Sequence, residues 1–316
     1  MKDEFNRDIE YLKISLNNTC NLRCAYCMPY RCENDIEQTR NRFMSTEDYK
    51  FIIKSMADFG IKKIEFTGGE PLLNSDLVEL VHYAKNICNI EEVIVSTNGI
   101  KFFEEALKLK NAGLDKVNIG INSLKEYKYD SVTRGGNLGN VLKSFSTALK
   151  LNIDTTVEML VMNNFNYDEL NDFIQLVKNF PITLRLFELM YVGELRKIFD
   201  EGYLNIVDVI ENMDGLEKIP SDDNICRYYF KPGNSRGKIG VISRFNNSNC
   251  WNCNKIILSY DGKIRLCTYE NKEYDILNYL HKPLTFSEVM KEIITRKPKD
   301  FNEIKDNITT RELYEL

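Results

Sequence analysis

The chain has 316 residues, of which 43% are hydrophobic and 28% charged, so it can bury a sizeable core and wholesale disorder is excluded. Its net charge of −5 disfavours a nucleic-acid-binding surface, which needs a basic face. There is no run of 18 or more apolar residues, and the charged start lacks the apolar core of a signal peptide. We therefore expect a cytoplasmic protein without a membrane partner, in which nine cysteines favour metal binding or catalysis over disulfides.

Short strand patterns alternate with longer helical patterns along the first two thirds of the chain. The predicted strands are Tyr11–Leu16, Lys63–Phe66, Glu92–Ser96, Lys116–Ile121, Thr155–Val161 and Thr183–Leu189. The predicted helices are Thr46–Phe59, Ser75–Cys88, Phe102–Ala112, Leu138–Leu151 and Tyr167–Lys178. Several strands are apolar at nearly every position, as expected for strands covered on both faces. Strand–helix units of roughly thirty residues are typical of a parallel sheet in an α/β fold.

Six such units predict a partial (β/α)6 TIM-type barrel over residues 8–195, since a complete barrel has eight. Residues 196–316 are richer in turns and are interpreted as a smaller C-terminal α+β region. Their predicted elements are a helix at Leu204–Met213 and strands at Lys238–Ser243, Lys255–Tyr260 and Lys263–Cys267. Because ligands of parallel α/β folds gather at the carboxyl ends of the strands, functional residues are expected there.

Three cysteines, Cys20, Cys24 and Cys27, lie within eight residues directly after the first strand. We call them the first triad. Cysteine thiolates are the usual ligands of iron–sulfur clusters, and three ligands on a four-iron cluster leave one iron open to an exogenous group. A zinc site is the alternative, with Cys32 as a candidate fourth ligand.

Small and polar residues end the next strands. Gly68 and Gly69 follow the second strand and would let a ligand approach the backbone, while Glu70 could accept a hydrogen bond from an ammonium group. Ser96, Thr97 and Asn98 end the third strand and Asn122 ends the fourth, where each could line the same ligand site. For Thr97 and Asn98, an ordinary strand–helix turn is the alternative reading.

A second set of cysteines, Cys250, Cys253 and Cys267, forms the second triad. The hairpin signal Asp261-Gly262 between them can bring Cys267 back beside Cys253, so that the three thiols converge. An iron–sulfur cluster with an open iron is again favoured. A zinc knuckle, or a fully ligated cluster that also uses Cys226, remains an alternative.

The first triad, with Tyr26 before its third cysteine, and the Gly-Gly-Glu segment resemble the radical S-adenosylmethionine (SAM) superfamily. The Cys-x2-Cys-x13-Cys spacing of the second triad is similar to the MoaA-like GTP 3′,8-cyclase family of molybdenum cofactor biosynthesis, over roughly residues 8–275. The resemblance implies two [4Fe–4S] clusters, one on each triad. It also implies that SAM is bound by Tyr26, Gly68, Gly69, Glu70, Ser96, Thr97, Asn98 and Asn122.

The resemblance also implies a reaction. Reductive cleavage of SAM gives a 5′-deoxyadenosyl radical, which takes hydrogen from a small-molecule substrate beside the second cluster. In that family the substrate is GTP, whose ribose radical then attacks the purine. An electron donor such as flavodoxin or ferredoxin is implied as a partner. The implied substrate-binding cations are Lys13, Lys63, Arg185 and Lys255.

The chain departs from the family where GTP phosphates would be held. Glu65 and Ile257 stand where the family has cations, and no glycine follows Gly262 where the family has a double-glycine tail. Arginine and lysine are the residues that bind phosphate groups most effectively. The identity of the substrate is therefore left open between GTP, another nucleotide and a peptide. A third hypothesis, a non-enzymatic metal-binding module, accounts for the cysteines but leaves the Gly-Gly-Glu segment unexplained.

Overall fold

A computed structural model describes residues 1–27, 44–189, 196–220, 228–243 and 250–304. Cys32, Cys226 and the chain end after residue 304 lie outside the described residues. The strands are β1 Tyr11–Ser15, β2 Lys63–Thr67, β3 Glu92–Thr97, β4 Lys116–Gly120, β5 Asp154–Val161, β6 Thr183–Glu188, β7 Leu216–Ile219, β8 Tyr228–Pro232, β9 Lys238–Ile242, β10 Lys255–Leu258, β11 Lys263–Arg265 and β12 Tyr274–Asp275. The helices are α1 Thr46–Asp58, α2 Leu77–His82, α3 Phe102–Ala112, α4 Glu126–Thr133, α5 Leu138–Lys150, α6 Leu170–Asn179, α7 Arg196–Gly202, α8 Ile206–Glu211, α9 Pro283–Thr295 and α10 Phe301–Ile304.

Local chemistry sets many of these boundaries as the sequence predicted. Each of β1 to β6 begins and ends within one residue of its prediction. Ser45 caps α1 through a reciprocal hydrogen-bond pair with Asp48, and Gly113 ends α3 in the left-handed region at φ 104°. The predicted helix Ser75–Cys88 is shorter and divides into α2 and a π-helical turn at Tyr83–Ile87. Sequence analysis missed α4 and α9.

One sheet contains all of the described strands, in the order β12-β11-β10-β1-β2-β3-β4-β5-β6-β9-β8-β7. The six predicted units form a row of parallel strands, which confirms the α/β class. The row is extended by β10, parallel to β1, and by β9, parallel to β6. The region after residue 195 therefore shares the sheet of the preceding units, whereas the boundary at residue 195 itself stays a prediction.

The two faces of the parallel strands differ in polarity. Leu12, Ile14, Ile64 and Phe66 belong to the hydrophobic core, which also contains the buried residues of α1. The residues that alternate with them are polar on the opposite face, because successive side chains of a strand point to opposite sides. We call this the inner face; its members include Tyr11, Lys13, Glu65, Ser96, Asn118, Thr156, Glu158 and Arg185. Several of these inner-face residues are buried all the same, so the strands are covered on both faces as expected, although the inner face is largely polar.

No helix in the described ranges has both the length and the apolar character needed to cross a membrane.

Candidate active site

The first triad lies in the loop that follows β1, at the carboxyl edge of the sheet. The loop is tied to the end of α4, since Arg23 N donates to Thr133 O at 3.1 Å and Ala25 N donates to Val132 O at 2.8 Å. The end of β3 approaches from the other side. There Asn98 Nδ2 lies 3.5 Å from Cys20 Sγ, which also accepts from the backbone of Leu22 at 3.4 Å.

The donor set of this loop fits an iron–sulfur cluster. All three thiols are partly accessible, and burial raises the pKa of Cys20 and raises that of Cys24 to about 11, so binding iron would have to displace protons. N–H groups already point at the Cys20 sulfur, as they do at the sulfurs of bound clusters. Each thiolate of such a cluster holds a different iron. The three thiols therefore need not surround a single metal ion. Within the described residues, no three His, Cys, Asp or Glu side chains are placed to bind one metal ion together.

Gly68 and Gly69 bring the end of β2 against the backbone of the first-triad loop. A Cβ atom on Gly69 would lie 2.1 Å from the carbonyl oxygen of Thr19, and one on Gly68 would lie 2.6 Å from that of Asn17. The close contact is hydrogen-bonded, with Gly69 N donating to Asn17 O at 2.9 Å and Glu70 N to Thr19 O at 2.8 Å. The sequence predicted that these two glycines would let a ligand approach the backbone. In the structure, the group that approaches them is the backbone of the first-triad loop.

Glu70 joins the ends of β2 and β3. Its side chain is almost fully buried and accepts hydrogen bonds from Thr97 Oγ1 at 2.7 Å and from the backbone N–H groups of Asn98 at 2.8 Å and Leu72 at 3.1 Å. Burial raises its pKa to about 7, although these hydrogen bonds act in the opposite direction. Both carboxylate oxygens are thus engaged by the chain, and contact with an ammonium group of a ligand stays a prediction.

Tyr26 and Asn122 meet at the same edge. Asn122 Nδ2 donates to the Tyr26 hydroxyl at 2.6 Å, and Asn122 Oδ1 accepts from Leu160 N at 2.8 Å. Asn166, which sequence reasoning missed, is fully buried and donates to the carbonyl oxygen of Asn122 at 2.7 Å. Ser96 is separate from this group: it lies on the inner face and donates to Glu65 at 2.5 Å.

The second triad lies at the opposite end of the sheet. Cys253 precedes β10, and Cys267 follows the antiparallel strand β11. Both lie at the amino end of β1, where Tyr11 N donates to Asn254 O at 3.2 Å. At about 3.3 Å per residue, the five residues of β1 set the two ends roughly 16 Å apart. This triad therefore lies away from the carboxyl ends of the strands, where functional residues were expected.

Two buried cations that sequence reasoning missed, Arg7 and Lys297, surround the second triad. Burial raises the pKa of Cys267 to about 11. Burial also acts to raise the pKa of Cys253, but the positive charges of Lys297 and Lys255 outweigh it, and that pKa is lowered. Three thiols beside a buried ammonium group fit an anionic cluster better than a neutral ligand.

Between the two ends, the inner face carries ion pairs. Lys13 Nζ lies 3.7 Å from Glu65 Oε1, and Arg185 Nη1 lies 2.7 Å from Glu158 Oε1. Burial opposes ionisation of Glu65, yet Lys13 together with hydrogen bonds from Ser96 and Tyr11 lowers its pKa to about 2.

Two further features complete the inner face. Lys63 Nζ pairs with Glu92 Oε2 at 2.5 Å at the amino end of the sheet. Asn118 Oδ1 and Thr156 Oγ1 are buried, lie in register on β4 and β5, and have no hydrogen-bond partner in the described part of the chain. Lys13, Lys63 and Arg185, which were predicted to bind the substrate, are therefore already paired with carboxylates. The polar alternation along the strands was the sequence signal for Asn118, Thr156 and Glu158.

Comparisons with known proteins identify the family. The Radical SAM superfamily model matches residues 14–177, and the Molybdenum Cofactor Synthesis C model matches residues 182–303. A protein of Clostridium botulinum (strain Langeland) named GTP 3′,8-cyclase is 33% identical over 319 residues, covering 100% of this chain and 99% of its own length. A protein of the same name from Alkaliphilus oremlandii is 34% identical, covering 97% of this chain and 96% of its own length.

Solved structures share the fold at low identity. Streptococcus suis SuiB has a TM-score of 0.62 at 11% identity, covering 93% of this chain and 67% of that one. The enzyme anSMEcpe with bound AdoMet and the Cp18Cys peptide has a TM-score of 0.58 at 16% identity, covering 90% and 83%. The superfamily implies a [4Fe–4S] cluster and SAM as cofactors. Both family models and the full-length relatives agree, so the chain is a radical SAM enzyme that belongs to the family of the GTP 3′,8-cyclases.

Proposed function

We propose that this enzyme carries out the GTP 3′,8-cyclase reaction of its relatives, with SAM and two [4Fe–4S] clusters. The observation that carries the proposal is the extent of the match. It runs over the whole chain and includes the ranges that hold both cysteine triads. A cytoplasmic location and an electron donor such as flavodoxin or ferredoxin belong to the same proposal.

The first triad would hold the cluster that meets SAM. When bound and reduced, such a cluster supplies the electron that cleaves SAM to a 5′-deoxyadenosyl radical. Asn98 would donate to a ligand sulfur, and the Gly68–Gly69 contact would fix the loop against the end of β2. Glu70, Thr97 and Asn122 would line the SAM site beside Tyr26, because the structure brings these side chains to one edge.

The second triad would hold a second cluster at the amino end, with the substrate lying along the inner face between the two. Lys13, Lys63, Arg185 and Lys255 would contact this substrate. The protein's part is to hold the reacting carbon in place and to exclude water, while the cofactors supply the radical chemistry.

A second candidate keeps the same chemistry but changes the substrate. GTP carries about four negative charges and needs unshared cations. The inner face instead pairs Lys13 with Glu65 and Arg185 with Glu158, and places Ile257 in register with Lys13. A nucleotide with fewer phosphates, or a peptide, suits such a charge-balanced surface better.

Titration calorimetry on the anaerobically reconstituted enzyme separates the two candidates. The first candidate is supported if GTP binds. It is supported further if incubation with SAM and a reductant then gives cyclised GTP, detected by mass spectrometry. Failure to bind GTP would exclude it, and binding of guanosine or its monophosphate under the same conditions would favour the second.

Cysteine variants test the division of labour between the triads. We expect Cys24→Ala to abolish release of 5′-deoxyadenosine, because the SAM-binding cluster is lost. Cys253→Ala should retain uncoupled SAM cleavage while losing product. Cys88→Ala, outside both triads, is the matched control. Equal loss of 5′-deoxyadenosine in Cys24→Ala and Cys253→Ala would contradict the assignment.

A further inference from the structure

Lys297 is a buried lysine at the second triad. It follows α9, only 3% of its surface is exposed, and its backbone N–H donates to Ile294 O at 3.1 Å. Its Nζ donates to the carbonyl oxygens of Lys255 at 2.7 Å and Leu266 at 2.5 Å. Both acceptors belong to the loops of the triad, because Lys255 lies two residues after Cys253 and Leu266 directly precedes Cys267.

The ammonium group has three N–H donors, and two of them satisfy these carbonyls. One side chain therefore joins the segments that carry Cys253 and Cys267, and its positive charge acts to lower the pKa of the Cys253 thiol.

The charge of Lys297 needs an anion nearby, since an isolated buried ammonium group is strongly unfavourable. Across the described ranges, no carboxylate lies within salt-bridge distance of it; its ionisable neighbours are the thiols of Cys253 and Cys267 and, farther away, the carboxyl group of Glu270. A four-iron cluster on three thiolates has a net negative charge, because the thiolates outweigh the charge of the oxidised core. Such a group would supply a counter-charge directly beside the ammonium group.

The segment 297–299 is itself held by the N-terminus. The Arg7 guanidinium is buried and donates to the carbonyl oxygens of Pro298 at 2.7 Å and Lys299 at 3.0 Å. It also donates to Cys250 O at 2.8 Å, and Asp3 fixes it through an ion pair at 2.5 Å. Lys297 thus projects from a fixed backbone.

We propose that Lys297 is a positioning residue for the second cluster: it joins the Cys253 and Cys267 segments and, as a buried cation between them, stabilises the reduced cluster. The inference rests on the second cluster of the proposed function but not on the identity of the substrate. Hydrogen bonds and net charge around the sulfurs set the potentials of such clusters, so removal of this cation makes reduction harder.

The test uses full-length protein carrying Cys20→Ala, Cys24→Ala and Cys27→Ala, so that only the second cluster assembles. Lys297→Met removes the charge, Lys297→Arg keeps it, and Lys291→Met removes an exposed lysine of α9 as a control. We expect Lys297→Met to lose iron from about four per chain, or to keep the cluster at a more negative midpoint potential. Lys297→Arg should recover part of the effect, and Lys291→Met should match the parent. Unchanged iron content and potential in Lys297→Met would overturn the proposal.

A measurement on the unsubstituted Lys297 covers the case in which the variants fail to fold. Protein labelled with [ε-15N]lysine should show a weak 15N hyperfine coupling to the reduced second cluster, and it should persist when either Lys255 or Lys299, two other lysines near the triad, is replaced by Met. Absence of coupling, or absence of a second cluster, would refute the role of Lys297. GTP turnover is measured in a separate assay. If the enzyme does not cyclise GTP, the iron content, midpoint potential and 15N coupling still test the role of Lys297.

Discussion

Glu65 shows how far a single residue can depart from the expected character of its strand. It is buried on the inner face and is engaged at once by Lys13, Ser96 and Tyr11. A carboxylate held in this way favours the folded state only while it is ionised. Because its folded pKa of about 2 lies below its ordinary value of 4.5, its contribution is fully present above about pH 4.5 and is lost as the pH falls toward 2.

We expect Glu65→Gln to lower the unfolding free energy of the cluster-free protein by about 1–3 kcal/mol at pH 7, as for loss of hydrogen bonds to a charged group. The difference from the parent should shrink between pH 4.5 and pH 2. Urea unfolding at several pH values measures it, with exposed Glu91→Gln as the control. A difference independent of pH would show that ionisation of Glu65 contributes no stability.

The sequence predicted the cysteine residues but not their electrostatic neighbours, for a physical reason. The Cys20, Cys24 and Cys27 spacing is local, and one loop keeps it together. The pairing of Arg185 with Glu158 depends instead on the register of β5 and β6, and Lys297 reaches the carbonyl oxygen of Lys255, close to Cys253, from the end of α9. Such contacts join positions that are distant in the chain, and a lysine after a helix looks like an ordinary surface charge.

At the scale of elements, the close contact between the end of β2 and the first-triad loop requires glycine, which has no side chain. Gly69 has no room for a methyl group, because its Cβ would lie 2.1 Å from Thr19 O. Gly120, at the end of β4, is a matched control whose Cβ would meet only Thr97 O at 3.8 Å, an ordinary contact.

We therefore expect Gly69→Ala to force the loop away from β2 and to lose most of the iron of the first cluster together with SAM binding, whereas Gly120→Ala retains both. Iron analysis and SAM titration of the two variants, made in the Cys253→Ala background, measure the effect on one cluster alone. Normal loading of Gly69→Ala would mean that the loop can adapt, and that the tight contact is dispensable.

The positions of β1 to β6 were predictable because each is a short run of five to eight residues with strand-forming apolar side chains. The sheet neighbours of β9 and β10 were not predictable, since their partners, β6 and β1, lie far back in the chain. Local pattern identified these two strands but carried no information on where they insert.

At the scale of the whole molecule, the shared sheet makes the C-terminal region part of the folding unit. A fragment of residues 8–195 would lack β9 and β10 and expose the hydrogen-bonding edges of β6 and β1. Unpaired strand edges promote aggregation. We expect this fragment to be insoluble or to lack a cooperative thermal transition, while the full chain shows one; circular dichroism and gel filtration compare them. A monomeric, cooperatively folding fragment would show that the first six strands are self-sufficient.

The placement of the two cysteine triads at opposite ends of β1 has a consequence for molecular size. A compound tethered at the amino end must extend along the inner face before its far end comes near the other triad, a path of roughly 16 Å. With the two clusters placed as proposed, a compound that is too short would be held at the amino end yet lie out of range of the radical. The length of β1 would then set the minimum length of a reactant.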